Sequence, residues 1–203
     1  LLTTIQHHQK CFGIEGPDKK LIPRFICVLD IEPRDLALVR KGWERVLRAR
    51  LFDARFFWKT DLAVDFDTWL AKLENVIFLG PLGSMGQKSR RLGKLCAWLG
   101  EAAGKDKSFI RDLSRAGRLA KADLVSEMVK ELDELQGIMG GIHARKKGES
   151  EDTAQAIYEH YLPAGPNTPV PLSLSGALLA IADRADALTG CFGLHMIPTG
   201  AAD

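Results

Sequence analysis

The sequence predicts an α+β fold that is predominantly helical, with a short β-containing N-terminal part followed by an all-helical region. Three observations carry that prediction. Leu21–Ile31 is an apolar, β-branched run that follows the turn-rich Glu15-Gly16-Pro17-Asp18, so residues 1–32 read as two short strands joined by a turn. From Arg34 the period changes, and Val39, Trp43, Val46, Leu47, Ala54, Phe57 and Trp58 recur at helical spacing to about Lys59. From Ser108 onward the periodic segments are all helical, punctuated by Gly and Pro.

The elements follow in order. Asp65 or Asp67 caps a short helix through Leu73, and Gly80-Pro81-Leu82-Gly83 breaks the chain before a helix from about Met85 to Ala103. Ser108 is placed as the cap of Phe109–Arg118, with Ala120–Leu135 continuing the helical pattern. The Gly-rich residues 137–148 read as a loop or short irregular connection. Glu151–Tyr161 is a helix ended by Pro163, and 164–171 is a linker within the fold. Ser173 or Ser175 caps a last helix through Leu188 that stops at Gly190. No internal repeat or low-complexity tract is visible. The break near 78–84 divides the chain into a hairpin-plus-basic-helix part, 1–80, and an all-helical part, 81–203.

At 203 residues the chain suits one large domain or two small ones, with ample aliphatic content for a core. It has no apolar run long enough to span a bilayer, and its N-terminus lacks the pattern of a signal peptide. The four cysteines, Cys11, Cys27, Cys96 and Cys191, have no close pair in sequence. That argues against a Cys-based zinc site and fits a reducing cytoplasm, with Cys27 and Cys96 as small core residues. Gly80–Gly83 lacks the Gly-Lys-Ser/Thr ending of a phosphate loop, and no Gly-x-Ser-x-Gly elbow exists. His7 and His8 would point to opposite faces of a strand and cannot chelate one ion. His143 and His195 read as surface residues.

The small net charge of +2 hides strong asymmetry. Residues 34–59 carry eight Lys/Arg against three Asp/Glu, and 87–121 carry ten against three, whereas 122–160 carry four against nine. Separated charge of this kind suits a polyanion on one face and protein contacts or solvent on another. Within the first basic segment, Lys41, Arg45, Arg48, Arg55 and Lys59 fall within roughly a quarter of a turn of an α-helix, with Phe52 in their midst. An aromatic among cations is the composition of a surface that grips phosphates and stacks on a base. The plainer alternative is a solvated helix face with Phe52 covered by a neighbour. Arg50 falls on the apolar side with Trp43 and Phe57, as a structural arginine paired with an acid such as Asp53. Near the C-terminus, Asp183 and Asp186 are three apart, so both carboxylates leave one side of a helix. With His160 from another helix they could hold a divalent ion.

Several segments together resemble one known family. They are Thr3-Thr4-Ile5-Gln6-His7-His8-Gln9-Lys10-Cys11-Phe12, Glu44–Leu51 with Asp53–Trp58, Leu82-Gly83-Ser84 with Lys88 and Arg91, and Glu134–Gly140. Glu159-His160-Tyr161-Leu162-Pro163, Ala182-Asp183-Arg184-Ala185-Asp186 and Phe192–Gly200 complete the series. In this order they resemble the β subunit of the bacterial glycyl-tRNA synthetase of α/β type, over essentially all 203 residues. Cys11 stands where that family usually has tyrosine, and Gly141 where an arginine often follows Met-Gly. The resemblance implies an internal fragment of a tRNA-binding, cytoplasmic β subunit. Its partners would be the α subunit, in an α2β2 heterotetramer, and tRNA(Gly), with no membrane. Glycine, ATP and Mg would be bound by α. The fragment itself would hold no cofactor, metal or catalytic residue and would be inactive alone as a glycine–tRNA ligase. No class I synthetase signature is present.

The region around Asp183 also resembles the final helix of the HD superfamily of metal-dependent phosphohydrolases, which the family's β subunit is similar to in fold. An HD site needs an adjacent His-Asp pair, and the positional counterpart here is Lys121-Ala122-Asp123, with alanine in place of histidine. The expectation is a degenerate, metal-free HD-like domain in which Asp123, His160, Asp183 and Asp186 remain as hydrogen-bonding partners. A working phosphohydrolase and a structural module that docks α through the acidic 122–160 segment are the alternatives.

Overall fold

The structure, a computed structural model, describes residues 5–6 and 10–196. The His7-His8 pair and the ends of the first and last family-like segments lie outside the described residues. The chain forms two compact units, Leu1–Lys59 and Thr60–Asp203, so the division falls before the 78–84 break read from the sequence. The residues between belong with the helices after them, because Phe66, Trp69, Leu70 and Leu73 are buried in the same core as Leu92, Leu113, Leu119, Ile157 and Leu179.

In the first unit, β1 (Cys11–Glu15) and β2 (Leu21–Cys27) form an antiparallel hairpin. The turn is closed by Gly16 N–H donating to Lys20 O at 2.8 Å, with Asp18 accepting from Lys20 N–H. Cys11 and Cys27 are register partners with Cα atoms 4.4 Å apart, and they are joined by a disulfide. This corrects the reading of four separate thiols. Sixteen residues apart in sequence, the two cysteines face each other because the hairpin folds back on itself. Only Cys96 and Cys191 remain free, so the inference from thiol count to a reducing compartment lapses. Helix α1 (Leu36–Ala63) starts with Asp35 accepting from Leu38 N–H. The unit's small core is Ile5, Cys11 and Leu47, flanked by Phe25, Cys27 and Trp43.

The second unit is a helical bundle. After α2 (Phe66–Leu73), capped by Asp65, come β3 (Ile77–Leu79), a 3-10 turn over Gly80–Leu82 and β4 (Gly83–Ser84). Helix α3 (Met85–Ala102) opens with a capping box between Ser84 and Gln87, and α4 (Lys107–Leu119) follows. The cap of α4 is Asp106 rather than Ser108. Its carboxylate accepts from both Phe109 N–H and the Ser108 hydroxyl at 2.8 Å, so the charged acceptor takes the cap position. Residues 122–135 are broken into a 3-10 turn, Ala122–Val125, the short α5 (Glu127–Glu131) and a second 3-10 turn, Asp133–Leu135. Asp61 explains the new start at α5, since its carboxylate accepts from Glu127 and Met128 N–H at 2.8 and 3.0 Å.

The Gly-rich 137–148 segment is not a loop. Residues Ile138–Lys146 form α6, which packs on α7 (Glu151–Glu159). A methyl on Gly140 would lie 2.8 Å from Ile157, and one on Gly141 2.7 Å from Ala154 O, so the glycines set the distance between the helices. Each glycine costs about 1 kcal/mol of helix propensity, which the packing outweighs. His143, on α6, is fully buried rather than superficial; its ring meets Trp69 edge-on at 5.2 Å. His195 is exposed, as read. Ser173 caps α8 (Leu174–Gly193), which runs through Gly190 instead of stopping there. Gly190 is a packing glycine: a methyl on it would meet Leu82 at 2.5 Å.

Candidate functional site

The elements of the bundle bring three of the family-like segments and the Lys121-Ala122-Asp123 stretch to one buried cluster. Lys121 and the 122–125 turn follow α4, His160 ends α7, Asp183 and Asp186 lie on α8, and Lys88 and Arg91 lie on α3. Lys121 Nζ lies 2.6 Å from Asp183 Oδ2 and 3.0 Å from His160 Nε2, over the face of Tyr161 at 3.9 Å. Lys88 Nζ is 2.9 Å from Asp183 Oδ1 and 3.1 Å from Asp186 Oδ2. Arg91 forks onto both oxygens of Asp186, at 2.6 and 3.0 Å. Asp183 and Asp186 do share one side of their helix, and what they share is the Lys88 ammonium.

The protonation states follow. Burial alone would raise the Asp183 carboxyl, but Lys121 and Lys88 outweigh it and hold the group down at about 2. Asp186 is likewise lowered against its burial, by Arg91 and Lys88. Burial, with Lys121 beside it, pushes His160 down to about 3, so the ring is neutral. Its Nδ1 donates to Ile157 O at 2.6 Å, which assigns the proton there and leaves the Nε2 lone pair to accept from Lys121.

Asp123 faces another way. It is fully buried, and its Oδ2 accepts from Gly137 and Gly140 N–H at 2.7 and 3.0 Å, at the N-terminus of α6. The anion position of that helix is thus filled from within the chain. Gly137, at φ +75°, opens the helix in a conformation that suits glycine. Burial outweighs these bonds and raises the Asp123 carboxyl to about 6. Arg184 closes the cluster by donating to the carbonyls of His160, Tyr161 and Pro163. Glu159 accepts from Ser173 N–H and hydroxyl at the head of α8. Lys88, Arg91, Lys121 and Arg184 are the charged residues that sequence reasoning did not assign to this pocket. The signal was available for Lys121, which adjoins the alanine standing in for the missing histidine.

These residues do not fit a divalent metal. The lone pairs of Asp183 and His160 that a cation would need point at the ammonium of Lys121, and Asp123 is turned to backbone N–H groups. Among the described residues no three His, Cys, Asp or Glu side chains converge as a ligand set.

The candidate nucleic-acid residues are on α1, in the first unit. Lys41, Arg45, Arg48, Arg55 and Lys59 are all exposed on the single continuous helix, and Phe52 is 72% exposed. Arg50 is exposed as well, which corrects its placement as a residue of the apolar side. The helix has little apolar face to bury: only Leu47 and Ala54 of the segment 36–59 are buried.

The whole chain, residues 1–203, matches the family model described as glycyl-tRNA synthetase beta subunit. The chain belongs to that family. Among its relatives, proteins described as glycine–tRNA ligase beta subunit are 69% identical in Nitratidesulfovibrio vulgaris (strain Miyazaki F), 67% in Oleidesulfovibrio alaskensis and 45% in Pseudomonas syringae pv. tomato. Each match covers all of this chain and 29% of the relative, so the chain spans under a third of the length of these glycyl-tRNA synthetase β subunits. In this chain the Leu-Gly-Ser…Lys…Arg element and the Ala-Asp-Arg-Ala-Asp element are two sides of one ion-pair cluster. No helix among the described residues is long and apolar enough to cross a membrane.

Proposed function

We propose that this chain is the tRNA-holding part of a glycine–tRNA ligase β subunit, which positions tRNA(Gly) for ATP-dependent glycylation by the α subunit of an α2β2 enzyme in the cytoplasm. The observation that carries the reading is the exposed stripe on α1, where five cations surround an exposed Phe52 on one helical face. Such a face neutralises backbone phosphates and offers a ring for stacking. Glycine, ATP and Mg belong on this reading to α, and the β chain contributes binding and orientation, which shorten the search of the acceptor end for the reacting carboxylate. Titration of tRNA(Gly) with the wild-type protein and with Arg45→Glu/Arg48→Glu tests it. Weaker binding at unchanged melting temperature supports the stripe, and unchanged binding at low salt removes it.

The HD-like pocket is on this reading a structural remnant, in which Lys121 and Lys88 supply internally the positive charge that the carboxylates of α8 require. A phosphohydrolase needs a metal-bound water, and the ammonium of Lys121 stands among the lone pairs that would bind the metal. No observation favours the hydrolase over the remnant.

A further inference from the structure

A second basic feature lies in the helical bundle, built on residues that belong neither to the α1 stripe nor to the ion-pair cluster. Helices α3 and α4, joined by the turn 103–106, leave a groove of about 500 Å³ between them. One wall carries Arg90 and Lys94, four residues apart on α3, and the other carries Arg111, Arg115 and Arg118 at spacings of four and three on α4. The remaining lining residues are Gly93, Ala97 and Ser114, so the groove has five cations and no carboxylate on its surface. Three of the cations have carboxylate partners outside the lining. Arg90 is held by Glu74, Arg111 by Asp112 at 2.9 Å and Arg115 by Glu149 at 2.7 Å. Among the described residues Lys94 and Arg118 have no carboxylate partner. Arg118 is held instead by neutral groups, the Gly86 carbonyl and the Ser89 hydroxyl. Burial first, and then Arg90, lower the affinity of Arg118 for its proton, with Glu74 pulling the other way.

One further residue points to the ligand class. Trp98 lies one helical turn beyond Lys94 on α3 and is 62% exposed. A tryptophan in water beside a row of cations serves a ligand that combines anionic groups with flat rings. Along the walls the cations recur about every 4.5–6 Å, the rise of three or four helical residues, and that repeat suits successive charges of an extended polyanion better than one isolated anion.

We propose that the α3–α4 groove is a docking site for the sugar-phosphate backbone of RNA, with Trp98 as a stacking platform at its rim. The proposal rests on the reading of this chain as RNA-binding, but on residues independent of the α1 stripe. Lys94 and Arg111 give up little structure when replaced, because both are exposed, whereas Arg118 also braces the start of α3. The test is therefore Lys94→Glu/Arg111→Glu, beside Trp98→Ala and Arg45→Glu/Arg48→Glu, in the full-length protein. Binding of a tRNA(Gly) transcript and of a short oligouridylate is measured across a salt series, with the melting temperature as a control for folding.

The charge-reversed groove variant should bind both RNAs about tenfold more weakly. Its log–log salt slope should be smaller by about 1.4, at about 0.7 per lost single-strand contact. Trp98→Ala should weaken oligouridylate binding roughly fivefold or more while leaving the salt slope in place. If the charge reversal disturbs folding, Lys94→Gln/Arg111→Gln is read by the same criterion. Unchanged affinity and slope in the groove variants overturn the proposal. Loss in the groove variants with normal binding by Arg45→Glu/Arg48→Glu sinks the α1 stripe and leaves the groove standing. Absence of RNA binding by the wild-type protein sinks both.

Discussion

The ammonium of Lys121 and the carboxylate of Asp183, 62 positions apart in the chain, meet at 2.6 Å inside the helical bundle. Lys121 also reaches His160 Nε2, and Lys88 takes the other oxygen of Asp183. The pair therefore ties α8 to the end of α4, to α7 and to α3. Its loss should be felt as stability rather than as chemistry.

Replacing Asp183 with Asn leaves two buried ammonium groups without the charge they share. Removing one partner from a buried pair typically costs about 3–5 kcal/mol, and chemical denaturation should show a loss of that size. Lys121→Met should cost less, because Asp183 keeps Lys88 on Oδ1 and what is lost is the donor to Asp183 Oδ2 and to the His160 lone pair. Equal costs for the two variants would mean that Lys88 does not hold Asp183 as described.

Acid should destabilise the helical unit through its histidines. Burial, reinforced by Lys121 for His160 and by Lys147 for His143, lowers them to about 3 and about 4 from an ordinary 6.5. Below 6.5 the unfolded chain takes up protons that the folded one refuses, so the stability these groups contribute is full above 6.5 and is lost as pH falls toward the folded values. Asp123 works in the opposite sense, since burial raises it to about 6 and the folded state gains a proton before the unfolded one. Burial raises Asp61 in the same sense as Asp123, but the two histidines, lowered to about 3 and about 4, dominate the window, and the melting temperature should fall between about pH 7 and about pH 5. His143→Phe keeps a ring against Trp69 and removes one titrating group, so its melting temperature should change less over that range. A pH dependence as steep as wild type would show that His143 is not held neutral.

The fold was largely legible because most signals were local. Asp65 and Ser173 read as caps and Gly80-Pro81-Leu82-Gly83 as a break from their neighbours, and Gly16-Pro17-Asp18 announced the hairpin turn. The misreadings came where a distant partner decides. Gly140 and Gly141 read as loop residues because their value is the closeness of α7, and Gly190 read as a stop because Leu82 is not adjacent in sequence. Cys11 and Cys27 pair through the hairpin register, and His143 is buried by Trp69 from α2. In the pocket, the carboxylates and His160 could be named from helical spacing and family resemblance. Lys121, flagged in sequence only by the alanine beside it, takes its role from Asp183 and His160, which distant helices bring to it.

The chain on its own should carry out neither chemistry suggested by its resemblances. Glycine-dependent exchange of pyrophosphate into ATP should be absent, and so should hydrolysis of nucleotides or cyclic nucleotides in the presence of Mn. Hydrolysis that vanished in Asp183→Asn would restore a catalytic role to the pocket.

Phe52 separates a binding helix from a merely solvated one. Its ring is exposed, so Phe52→Ala should leave the melting temperature unchanged and cost about 1–3 kcal/mol of tRNA binding if a base stacks there. A lower melting temperature with unchanged affinity would make the ring part of a core instead.

The central claim, that α1 grips tRNA, is tested most directly by the salt dependence of tRNA(Gly) binding in Arg45→Glu/Arg48→Glu. Each lost phosphate contact should lower the log–log slope by somewhat under 1, by about 0.9 for a duplex and about 0.7 for a single strand. Weaker binding and a slope smaller by about 1.4–1.8 are expected for the pair, at unchanged melting temperature. Normal affinity at low salt with an unchanged slope would contradict it and place the tRNA elsewhere on the protein.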